Sequence, residues 1–226
     1  MLTNPPFGKK SSYTVVGEDG QVTTERENYE REDFKFTTSN KQFNFLQHIM
    51  TIMEVNGRAG VVLPDNVLFE AGRAGEGIRK RLLEGFNFHT LLRLPTGIWY
   101  SPGVKANVLF FDKKAASRDV QTKALWVYDY RTNIHKTLKT KRLVSEDLHD
   151  FIQSYRDRVE TERFHRFTYE ELAARDKLNL DISWLKDESL EDTDGLPEPD
   201  VIAAEIVENL EAALEQFRSV AEELQT

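Results

Sequence analysis

The sequence predicts an α/β fold: a sheet that closes with an antiparallel hairpin, followed by a helical C-terminal extension. Three observations predict it. Ala59-Gly60-Val61-Val62-Leu63 is a short, continuous apolar run of the kind buried on both faces in a parallel sheet. Phe88 to Leu94 and Ala106 to Phe111 read as two strands joined by the loop 95–103, too short for a crossover, so the pair must be antiparallel. Beyond Tyr130 the apolar residues recur at helical spacing, as in Leu148, Phe151, Ile152 and Tyr155.

The elements follow in order. Residues 8–38 are polar and weakly periodic, a long loop of the functional or mobile kind. Within it, Tyr13 to Val16 and Gln21 to Thr24 flank Gly17-Glu18-Asp19-Gly20 as a small hairpin. A helix opens at Ser39, with Gln42 three residues on as a capping box. Its apolar stripe is Phe45, Leu46, Ile49, Ile52 and Met53, and Asn56-Gly57 stops it. After the strand 59–63, a helix over about 75–84 turns Ile78, Leu82 and Leu83 inward and Arg79, Lys80 and Arg81 mostly outward. The hairpin strands come next, then Lys123 to Tyr130 as an edge strand. Helices follow near 145–158 and 168–175, the second with Thr168 and Glu171 as its capping box. Residues 187–199 read as an acidic linker, and a last helix begins near Asp200. The implied segments are 1–130, 131–186 (helical), 187–199 and 200–226.

Composition narrows the function. The chain has 226 residues and no cysteine, which excludes thiolate metal sites and cysteine nucleophiles. No apolar run approaches the ~20 residues of a membrane span, and Met1 to Pro6 lacks the basic and apolar regions of a signal peptide. A soluble, cytoplasmic protein with no membrane partner is the expectation. The net charge of −8 is unevenly spread. Residues 187–226 carry 13 acids and one base, a net of −12, which leaves 1–186 at +4. Overall acidity therefore does not exclude a nucleic-acid partner for the body. None of His48, His89, His135, His149 and His165 shows metal-ligand spacing, so no metal is expected.

Asn4-Pro5-Pro6-Phe7 is the short sequence that carries chemistry. Two prolines fix φ and remove two backbone donors, giving a rigid turn that neither extends a strand nor enters a helix. Asn4 brings a carboxamide acceptor, Pro5 a carbonyl and Phe7 an aromatic face. Two acceptors beside a ring suit a planar substrate bearing an exocyclic amine.

This tetrapeptide resembles the [D/N/S]-P-P-[Y/F] catalytic motif of the amino-group DNA methyltransferases. Asn4-Pro5-Pro6-Phe7-Gly8, then Arg58 to Phe69 (RAGVVLPDNVLF), the strand pair from Leu94-Pro95 to Phe111, and the late run Arg175 to Ile182 (RDKLNLDI) together resemble the modification (M) subunit of type I restriction systems. The resemblance implies the C-terminal half of a Rossmann-like methyltransferase sheet in residues 1–130, with a helical extension behind it. It implies transfer of a methyl group from S-adenosylmethionine to adenine N6 in DNA, with Asn4, Pro5, Pro6 and Phe7 as the catalytic turn. It also implies work beside a specificity (S) subunit that reads the DNA and a restriction (R) subunit that cleaves it.

The glycine-rich cofactor loop F-x-G-x-G, expected well upstream of the turn, is missing. Gly72-Arg73-Ala74-Gly75-Glu76-Gly77 reads as a turn before a helix and not as its substitute. No cofactor-binding residues are therefore assigned. The N-terminal half of the M subunit would be a further partner, and the chain alone is expected to be inactive.

Lys9, Lys10, Arg79 and Lys80 are the candidate phosphate contacts, with solvated surface as the alternative. Trp99 and Tyr100 lie in the hairpin loop, where packing is the preferred reading. In the last helix Ala203, Ile206, Leu210, Ala213, Phe217, Val220 and Leu224 form an a/d seam. Ile206, Leu210, Phe217 and Leu224 are the candidate contacts with an S subunit, and packing on the chain's own body is the alternative. A non-enzymatic assembly remnant that binds the S subunit, or an amino-methyltransferase acting on RNA or protein glutamine, also stands open.

Overall fold

The computed structural model describes residues 1–8, 31–100 and 103–187, Val207, and the backbone of two strands at 12–16 and 22–26. The chain divides into two units, Met1–Lys186 and Asp187–Thr226. Residues 188–199 of the acidic linker and the seam residues Ile206, Leu210, Phe217 and Leu224 lie outside the described residues, as do Lys9 and Lys10.

Six strands make one mixed sheet in the order β1-β4-β6-β5-β7-β8. They are β1 (Leu2–Thr3), β4 (Arg58–Pro64), β5 (Asn87–Arg93), β6 (Ala106–Asp112), β7 (Ala124–Asp129) and β8 (Phe164–Thr168). β2 (Ser12–Val16) and β3 (Val22–Arg26) pair antiparallel as the expected small hairpin. In the main sheet β1 runs parallel to β4, and β7 parallel to β5. β6 lies antiparallel between β4 and β5, so the β5–β6 hairpin is as the short loop requires.

Alternation along the strands divides the core between two faces. Val61, Leu63, Leu91, Leu109 and Val127 pack with helices α1 (Lys41–Ile52) and α3 (Arg73–Gly85) on one side. Leu92, Tyr128 and Phe164 pack with Phe151 of α4 (His149–Asp157) on the other. α4 is pinned from below, because the Tyr128 hydroxyl donates to Asp150 at 2.5 Å.

The sequence expectations for α1, β7, the glycine cluster and Arg79 need correction. α1 is capped by Asn40, not Ser39: the Asn40 carboxamide oxygen accepts from the Gln42 and Phe43 amides at 2.9 and 3.4 Å. Of its expected stripe Leu46, Ile49 and Met53 are buried, whereas Phe45 is half-buried and Ile52 exposed, and Phe43 and Met50 join the buried face. β7 is not an edge strand, because β8 pairs beyond it. β8, with the pattern Phe-His-Arg-Phe-Thr, carries too little apolar character to stand out in a stretch read as helical. Finally, only Gly72 of the glycine cluster is a turn residue, with φ of 109° just ahead of α3.

Arg79 is the largest correction. It was expected to face outward, yet it is 1% exposed. Its guanidinium donates to four carbonyls: Leu178 (2.9 Å), Lys177 (2.9 Å), Glu70 (3.1 Å) and Val67 (3.3 Å). The run 175–182 is thereby laid along α3 and the short helix α2 (Asn66–Phe69), where the Leu180 amide also donates to the Leu68 carbonyl at 2.8 Å. Arg93 clamps the same run further on, through the Ile182 carbonyl and the Asp181 carboxylate.

Arg79→Ala would take the donor from one buried and three partly buried carbonyls and empty a buried site, so a loss of about 3–5 kcal/mol is expected. Lys80→Ala on the exposed face should stay within about 0.5 kcal/mol. Urea unfolding of the two variants measures the contrast, and equal midpoints would refute the assignment.

Candidate functional site

The turn at residues 4–8 leaves the sheet where β1 ends. Leu2 and Thr3 align with Gly60 and Val61 of β4, and the Gly60 amide donates to the Met1 carbonyl at 3.0 Å. A Cβ on Gly60 would stand 2.9 Å from the tip of the exposed Leu2 side chain, which would have to turn aside. Parallel pairing puts Asn4 at the same end of the sheet as Asp65, which follows β4.

Proline governs the turn's shape. Pro5 is buried, whereas Asn4 and Pro6 are exposed and Phe7 is 37% exposed. Phe7 meets Trp99 edge to face, with ring centroids 5.2 Å apart. Asn4, Pro5, Phe7, Trp99, Tyr100 and Val104 line a cavity of about 240 Å³. A second cavity of about 1110 Å³ opens on Phe7 from the side of Asp65, Asn66 and Glu70. A third, of about 480 Å³, lies under Phe7 against Phe34 and Phe45. Phe7 is the wall common to all three.

Hydrogen bonding sorts the turn's acceptors. The side-chain amide of Gln42 donates to the Pro6 carbonyl at 3.1 Å and to the Gly8 carbonyl at 3.2 Å. Neither the Asn4 carboxamide nor the Pro5 carbonyl is engaged by a described residue. Two acceptors adjacent in the chain thus stand without a partner among the described residues, beside two aromatic rings.

The neighbouring strand ends are held by charge. Asp65 accepts from both terminal nitrogens of Arg131, at 2.7 and 2.8 Å, and from Asn107 at 2.7 Å. Burial alone would raise the Asp65 carboxyl; the Arg131 guanidinium and the Asn107 amide outweigh it and hold the group below the usual carboxylate range.

The structure brings together Asn4, Pro5, Pro6 and Phe7 with Trp99 and Tyr100. Trp99, preferred as a packing residue, packs on Phe7 and lines the same cavity. Arg79 is removed from the phosphate candidates by its burial. Lys80 is exposed, 3.8 Å from Glu84. Gln42 was given the wrong partner: its amide reaches the turn, not the helix cap. A glutamine inside a buried helical stripe was the available signal.

The glycines of α3 do not form a cofactor cradle. A Cβ on Gly75 would fall 2.5 Å from the Glu70 carbonyl, and one on Gly77 2.2 Å from the Phe36 ring. Those glycines serve helix packing, and the space above them is filled by protein. Among the described residues no helix is long and apolar enough to cross a membrane.

Comparison with known proteins bears on the turn and the fold together. The model of the N-6 DNA methylase family matches residues 1–193. The type I restriction enzyme EcoKI methylase subunit of Escherichia coli K12 is 36% identical over 261 aligned positions, covering 99% of this chain and 46% of that protein. The StySJI methylase subunit of Salmonella typhimurium is 37% identical with the same coverage. The crystal structure of the EcoKI M protein superimposes with a TM-score of 0.66 at 35% identity, over 100% of this chain and 50% of the other. A modification subunit of a type I restriction enzyme from Vibrio vulnificus gives 0.58 at 28% identity, over 76% of this chain and 34% of that one. The chain spans about half the length of these relatives. It belongs to the N-6 DNA methylase family.

Proposed function

We propose that the chain is part of the modification subunit of a type I restriction-modification system and presents the target adenine amine of DNA for methylation at N6. The observation that carries the reading is the pair of unengaged acceptors, Asn4 and the Pro5 carbonyl, beside the Phe7–Trp99 cavity.

An aromatic amine is a poor nucleophile because its lone pair is delocalised into the ring. Two acceptors, one for each N–H, favour a pyramidal nitrogen whose lone pair points away from them. Positioning and electrostatics then supply the catalysis this chain contributes. A base buried in duplex DNA cannot reach such a turn, so it must be extruded, and Phe7 offers the stacking surface that replaces its lost neighbours. Edge-on contact from Trp99 holds that ring in place.

S-adenosylmethionine is the methyl donor of the family, and the residues present do not fit it, because the only glycine cluster of the described part is closed by Glu70 and Phe36. In this reading the donor is held by the other half of a complete modification subunit. The exposed Lys80 and Lys9-Lys10 remain the phosphate candidates. The seam Ile206, Leu210, Phe217 and Leu224 is the docking surface for an S subunit, in an assembly that an R subunit joins for cleavage.

In an assembled methylase containing this chain, Asn4→Ala should lower turnover by about 100-fold or more while DNA affinity changes little, since the acceptor acts on the amine and not on the phosphates. Retained turnover would end the catalytic assignment. Calorimetry of the isolated chain with S-adenosylmethionine should give no binding heat, and a micromolar site would overturn the division of labour.

A further inference from the structure

We infer that Gln42 is a positioning residue of the turn, fixing the backbone on both sides of Phe7; this rests on the reading of Asn4 and Pro5 above. With Pro5 and Pro6 the turn has lost two backbone donors that could hold its shape. Gln42 supplies donors from outside. Its two amide hydrogens go to the Pro6 and Gly8 carbonyls, on either side of Phe7. One side chain therefore fixes the backbone that aims the ring, while the Pro5 carbonyl keeps no partner among the described residues.

The placement of Gln42 supports this. It is 1% exposed and sits in the first turn of α1, where the Asn40 cap also takes its backbone amide at 2.9 Å. Both the side chain and its own backbone are thus held. The Gln42 Oε1 is buried and has no partner. The amide is oriented for its two donors and sacrifices its acceptor, the opposite of what a residue serving only the core would do. No charge is involved, so the clamp holds at any pH at which the fold does.

The test uses the full chain labelled with 5-fluorotryptophan, whose three tryptophans Trp99, Trp126 and Trp184 give separate ¹⁹F signals. Trp99 touches Phe7, while Trp126 and Trp184 pack against Phe164 and His165 on β8. Gln42→Met keeps the bulk and removes both donors; Gln42→Glu keeps the shape and turns an oxygen toward each carbonyl. Each should shift or broaden the Trp99 signal and leave the other two in place. An unmoved Trp99 signal in a folded variant overturns the inference, and so does a common displacement of all three signals in both variants, which marks Gln42 as ordinary core.

In an assembled, active methylase, Gln42→Met should lower kcat about tenfold with KM for DNA nearly unchanged. Asn4→Ala separates the two failures. If Asn4→Ala is inactive while Gln42→Met turns over normally, the role of Gln42 is wrong; if Asn4→Ala turns over normally, the reading of the turn itself is wrong.

Discussion

Arg131 reaches five acceptor atoms at one end of the sheet. It donates to both oxygens of Asp65, to the Leu94 and Ala106 carbonyls at 3.1 Å each, and to the Asn107 side chain at 3.2 Å. Those acceptors belong to the ends of β4, β5 and β6, and Arg131 itself follows β7. A planar guanidinium suits this work, because its donors lie in fixed directions. The half-buried pair with Asp65 would be costly if either partner were lost, since the other would remain as an uncompensated charge. Asp129 completes the corner, accepting from the Arg131 and Thr132 amides at 2.8 Å each and turning the chain so that Arg131 faces back over the strands. The turn at residues 4–8 stands at this braced end.

The site is built by assigning hydrogen-bond partners, not by gathering charge. Proline removes donors from the turn, Gln42 occupies two of its carbonyls, and the Asn4 carboxamide and the Pro5 carbonyl stay without a partner among the described residues, beside two rings. This pattern suits a neutral amine better than a cation, because among the described residues no carboxylate lines the Asn4–Trp99 cavity. The acidic excess behind the net charge of −8 is carried by residues 187–226, away from the sequence that forms the turn.

Legibility in the sequence followed the range of the interactions. The strand 58–64, the hairpin 87–112 and the Thr168–Glu171 capping box were readable because each depends on residues close in the chain. The turn was readable because two prolines dictate its shape wherever they occur. Arg79 was not, because its partners Lys177 and Leu178 lie about a hundred positions away and helical periodicity treats an arginine as a surface residue. Gln42 failed for the same reason: its partners lie 34 and 36 residues upstream, across a long polar segment. β8 hides because a strand paired on one side, with His165 and Arg166 in it, has a polar pattern. The Ser39 cap missed by one residue because serine and asparagine cap equally well, and the Asn40 side chain has a distant partner besides, its amide donating to Glu70 at 2.7 Å.

The central claim is that the Pro5 carbonyl accepts a hydrogen from the exocyclic amine of adenine. Labelling Pro5 with ¹³C at the carbonyl and titrating the chain with 2′-deoxyadenosine reads this contact directly by NMR. N6,N6-dimethyladenosine, which has the ring but no N–H, is the control. The Pro5 carbonyl resonance should move downfield with 2′-deoxyadenosine and stay in place with the dimethyl analogue. A resonance that ignores both ligands, or that moves equally with both, would contradict the account.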